Sequence, residues 1–150
     1  MFDLAGFLSG LIGATIGGLA TFGVALSARF AEVKSQRAAA VAQIDRSISV
    51  LLIEGAARTA RNPNTDAFFA AIRTSDSAIV SLRLVLRRRE VSVAQWADRE
   101  VHEITRGIAG GDADAKTAID RARNSTRQLA EWAAGRVTSS WFANDLDERG

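Results

Sequence analysis

The stretch Leu4–Ala28, LAGFLSGLIGATIGGLATFGVALSA, contains no charged residue. At the helical rise its 25 residues extend about 37 Å, enough to cross a hydrocarbon core with some tilt. It predicts a single N-terminal transmembrane helix. A cleavable signal peptide fits less well: Asp3 stands where a signal carries lysine or arginine, and the apolar run exceeds a signal core. Immediately after the run come Arg29, Lys34 and Arg37, opposed only by Glu32. The positive-inside rule then places the N-terminus outside the cell membrane and the rest of this single-pass chain in the cytoplasm.

Small residues within the run are ordered. Gly6, Gly10, Gly13, Gly17 and Ala20 recur at alternating steps of four and three, which on a helix makes one continuous stripe. Such a stripe lets two helix backbones approach closely, so dispersion replaces the hydrophobic drive that is missing in lipid. These five positions are the expected helix–helix interface, joining copies of the chain or another membrane protein, with lipid around the other faces.

Downstream, Phe30, Val33, Val41, Ile44, Ile48, Leu51 and Leu52 keep one helical face apolar, so the span is expected to run on into a first bundle helix. Arg37 interrupts that face and is expected to snorkel toward headgroups. Asn62-Pro63-Asn64-Thr65 holds the only proline and predicts a turn. A second helix of about 24 residues from near Asp66 should bury Phe68, Phe69, Ile72, Ile79, Leu82, Val85 and Leu86. Ser92-Val93-Ala94-Gln95 reads as a capping box opening a third helix with Val93, Trp96, Val101, Ile104 and Ile108 inward; Gly110-Gly111 ends it. Asp112 or Asp114 caps a fourth, through Ala115, Ile119, Ala122, Leu129, Trp132 and Ala133 to about Val137. Trp141-Phe142 should close the bundle base. The expected fold is all-α: a transmembrane anchor over residues 1–28, a cytoplasmic bundle of about four helices over 29–143, and a flexible acidic tail over 144–150.

Composition narrows function. Without cysteine there is no disulfide framework, thiolate metal site or thiol nucleophile. The only histidine, His102, precedes Glu103, but Arg106 stands where a helical zinc motif needs its second histidine. A hydrogen-bonded structural histidine is the simpler reading. No nucleophile elbow or phosphate loop occurs. Asp98, Glu100 and Glu103 alternate with Arg99 and Arg106 at helical spacings, which describes a solvated ion-pair lattice. Neither a catalytic group, a cofactor nor a metal is expected.

Arginine outnumbers lysine 17 to 2, yet the formal net charge is only +2. Residues 29–61 carry six positive and three negative side chains, whereas 112–150 carry six and seven; an anionic leaflet would favour that asymmetry. Arg87-Arg88-Arg89 is the densest basic run and the candidate anionic contact, although a solvated helix end offsetting the helix dipole explains it as simply. The pattern favours a non-enzymatic, membrane-anchored adaptor, assembly subunit or regulator with a cytoplasmic protein partner. Two alternatives are a small oligomeric pore, disfavoured by the sparse polar residues of the span, and a membrane-localised nucleic-acid binder, disfavoured by the shortness of the basic run.

Overall fold

The computed structural model describes residues 4–59, 65–110 and 112–149, with side chains over 28–57, 65–110 and 116–149. The fold is all-helical, with no strand among the described residues: α1 (Leu4–Thr59), α2 (Thr65–Val85), α3 (Val91–Ala109), α4 (Asp112–Ala133) and α5 (Ser139–Glu148), plus a 3-10 turn at Arg88–Glu90. The chain divides into two units, Met1–Ser35 and Gln36–Gly150. Among the described residues no helix is long and apolar enough to cross a membrane. The predicted span, except Ala28, and the stripe Gly6, Gly10, Gly13, Gly17 and Ala20 lie outside the described side chains.

In the unit Gln36–Gly150, α3 is the central helix, packed against α2, α4 and α5. Its residues Val93, Trp96, Val101, Ile104 and Ile108 are buried as their spacing predicts. Val41, Ile44, Ile48 and Leu51 of α1 join the same core, with Phe68, Ile79 and Leu82 from α2 and Leu129 and Trp132 from α4. Gly55 marks a close approach: a Cβ there would stand 2.1 Å from Ile108 Cγ2 and 3.6 Å from Phe68 Cε2. A side chain there would collide with the Ile108 methyl, while Phe68 stands at ordinary contact distance.

Several expected core positions are instead on the surface. Phe69 and Ile119 are 51% and 40% exposed. Each sits one residue from a buried neighbour, Phe68 or Ala118, and a step of one residue turns a helix by about 100°. Phe30 is 65% exposed.

Element ends follow local chemistry that differs from the sequence expectation. α2 stops at Val85, before the arginine run, because Arg87 is extended (φ −81°, ψ 160°). Ser92 is not a cap: α3 already begins at Val91, and the Ser92 hydroxyl donates across to the Ser139 carbonyl at 3.1 Å. Glu90 caps the 3-10 turn ahead of α3, its Oε2 accepting the Arg87 backbone N–H at 3.0 Å, and makes no side-chain cap bond to α3 itself. α4 stops at Ala133 instead of near Val137 because Gly135 adopts φ +80°. Arg136 N then donates to the Glu131 carbonyl and Gly135 N to that of Trp132, the paired bonds of a Schellman end. Residues 144–148, expected to fray, continue α5, whose Phe142 is fully buried with its ring edge-on to Trp96 at 5.0 Å between centroids.

Candidate functional site

Two arginine-rich places emerge, one closed and one open. The closed one is built on Glu100, which the sequence pattern assigns to a solvated lattice and which is in fact buried in the α3 face toward α4. Its carboxylate accepts both arms of Arg121, at 2.8 and 3.1 Å, and the Ser125 hydroxyl at 3.0 Å. One helical turn separates Arg121 from Ser125, so α4 presents both donors to one carboxylate. The Glu100 hydrogen bond, ahead of the burial that opposes it, holds the Arg121 guanidinium above its ordinary pKa.

A second carboxylate extends this node to α5. Asp145 Oδ2 accepts Trp96 Nε1 and Arg99 Nη2, both at 2.8 Å, while Oδ1 meets Arg149 Nη2 at 3.0 Å. Arg99 also donates to the backbone carbonyls of Asp145 and Leu146. Arg99 therefore turns away from Glu103, the partner its helical spacing offers; Glu103 instead pairs with Arg106 at 2.7 Å. A cleft of about 460 Å³ opens beside the node, with Trp141, Asn124, Arg127 and Gln128 on its walls. Buried carboxylates need full satisfaction, and here Glu100 has it. With each of its oxygens holding an Arg121 nitrogen, it is a clamp between α3 and α4.

The open place is the corner where α2 hands over to α3. Arg87, Arg88 and Arg89 are all exposed, and among the described residues their side chains make no ion pair. Arg83, Arg87 and Arg88 border a groove of about 460 Å³ whose apolar lining is Leu86, Val91 and Ala94, completed by Gln95. No carboxylate lines it. On the exposed face of α2, Val80 and Leu84 stand one turn apart, and Leu84 is 82% exposed.

Arg37 ties this corner to α1. Far from snorkelling, its guanidinium pairs with the Glu90 carboxylate and lies 4.9 Å from the centre of the Trp132 ring. Glu90 thus holds Arg37 with one oxygen and the Arg87 backbone with the other. An apolar stripe gives no sign of this, because the partners lie 53 residues apart.

His102 is exposed, with Nδ1 2.9 Å from the Asp98 carbonyl and 3.6 Å from its carboxylate. Among the described residues no group of three or more histidine or carboxylate side chains could hold a metal ion. Comparison with protein-family models, curated proteins and solved structures finds no match to this chain.

Proposed function

We propose that this chain is a membrane-anchored, non-enzymatic helical adaptor, assembly subunit or regulator. Its N-terminal helix would associate through Gly6, Gly10, Gly13, Gly17 and Ala20, and its helical domain would present a protein-binding surface in the cytoplasm. The observation that carries the reading is the contrast between the two arginine sites. Arginines around Glu100 and Asp145 are spent on internal carboxylates, whereas Arg87–Arg89 face solvent beside an apolar groove. A charged rim around an apolar floor is the anatomy of a protein contact. The uncharged run Leu4–Ala28 and its basic flank support the anchor.

Alkaline extraction of membranes from cells expressing the full chain tests the anchor. The protein is expected in the pellet, and a reporter fused after Gly150 is expected to be active inside only; release into the supernatant or outside activity overturns it. Gly10→Leu and Gly13→Leu are expected to weaken association in a membrane two-hybrid assay, and undiminished signal would remove the stripe as an interface.

A further inference from the structure

We propose that the groove between the end of α2 and the start of α3 binds an acidic amphipathic helix of a partner protein. The proposal deepens the adaptor reading by naming the partner's chemistry. Leu86, Val91 and Ala94 give an apolar floor, and Arg83, Arg87 and Arg88 give a positive wall with no carboxylate among the lining residues. An isolated apolar hollow could take many occupants, but this wall selects negative charge. Arg83 already meets Asp98 at 3.1 Å yet remains about half exposed, so its other donors stay available.

The shape favours a helix over a flat anionic surface. Leu86 is half-buried and Val91 is 50% exposed beside the buried Ala94, so the floor offers accessible apolar side chains that an inserted apolar side chain covers and a polar headgroup layer does not. Val80 and Leu84 lie outside the groove lining, but one turn apart on the exposed side of α2 they offer apolar side chains at helical spacing that a facing partner helix can cover. Nucleic acid fits less well: no aromatic side chain lines the groove to stack a base. The corner is also preorganised. The backbone of Arg87 is fixed by Glu90, and Glu90 is fixed by Arg37, so binding need not order the main chain that carries the arginines.

The test uses the full chain in phosphatidylcholine nanodiscs and a fluorescein-labelled peptide of about 18 residues, with leucines along one helical face and glutamates on the other. Fluorescence anisotropy is expected to show saturable binding that weakens with salt. The double variant Arg87→Glu/Arg88→Glu, and separately Leu84→Asp, should each weaken it by about tenfold or more. These exposed residues can change without unfolding the helices, which far-UV circular dichroism checks. Equal binding of a peptide of the same composition with scrambled leucines overturns the proposal, as does undiminished binding by the arginine variant or no binding at about 100 µM peptide. Amide-exchange protection of Arg87–Val91 by phosphatidylserine nanodiscs, with none from the peptide, would assign the corner to lipid and also overturn it. Failure of the anchor would show in alkaline extraction and leave the peptide titration, repeated in detergent, intact.

Discussion

The Glu100 node and the Arg87–Arg89 corner use the same side chain to opposite ends. In the node, Arg99, Arg121 and Arg149 converge on Glu100 and Asp145 from α3, α4 and the end of α5, and the charges are paired within the fold. At the corner, three consecutive arginines have exposed side chains and no carboxylate lines the adjoining groove. Arginine's fork suits both tasks, since it bonds a carboxylate in two places whether that carboxylate is internal or brought by a partner. What separates structural from available arginine is the location of the nearest carboxylate, and that is a property of the tertiary fold.

Substitutions should separate the two places by stability. Glu100→Ala takes the internal carboxylate from the partly buried Arg121, while the Ser125 hydroxyl keeps the Arg121 carbonyl as acceptor, and should cost about 3 kcal/mol in urea unfolding. A loss as small as that of a surface mutant would show the clamp to be ornamental. Glu90→Gln, which weakens the link from Arg37 to the Arg87 backbone, is expected to cost about 2 kcal/mol and to accelerate exchange of the Arg87 amide. It probes the boundary between the two places, because Glu90 is internal while the turn it holds is open.

Smaller changes sharpen the contrast. Arg121→Lys keeps the charge but loses the two-pronged bond to Glu100, for about 1 kcal/mol by thermal unfolding. Arg87→Ala and Arg88→Ala should stay within about 0.5 kcal/mol of the parent; a larger loss would mean that the corner is structural after all. The smallest effect belongs to the surface pair of Glu131, in the last turn of α4, and Arg136, just beyond it. The Arg136 hydrogen bond holds the Glu131 carboxyl below the ordinary glutamate range. Its contribution is therefore present above the ordinary glutamate pKa and lost as pH falls through the lowered value. Arg136→Gln should return the Glu131 titration, followed by NMR, to the ordinary range with little change in melting temperature.

Much of the helical core was legible in periodicity. Ile44, Ile48 and Leu51, then Ile79 and Leu82, then Val93, Trp96, Val101 and Ile104 are buried where a 3.6-residue repeat places them. The break between α1 and α2 falls around the proline, whose own residues 60–64 lie outside the described ones. Less legible were the ends and α5. The four-residue pattern at Ser92 caps nothing, since a 3-10 turn held by Glu90 leads straight into α3, and an acidic C-terminal segment read as loose became a helix because Asp145 has Trp96 and Arg99 to meet. Arg87–Arg89 stood out as a basic run, but the apolar floor beside it required α3 to fold back against the end of α2.

Amino-acid order alone determined the helical class, the faces that carry the core, the absence of thiol chemistry and the uncharged character of Leu4–Ala28, because each depends on residue type and spacing within one segment. Tertiary structure decided which charges are internal. Glu100 meets Arg121 across 21 residues, Arg99 meets Asp145 across 46, and Arg37 meets Glu90 across 53. Desolvation and ion pairing act on distance in space, and no repeat along a single helix encodes which distant partner will arrive there.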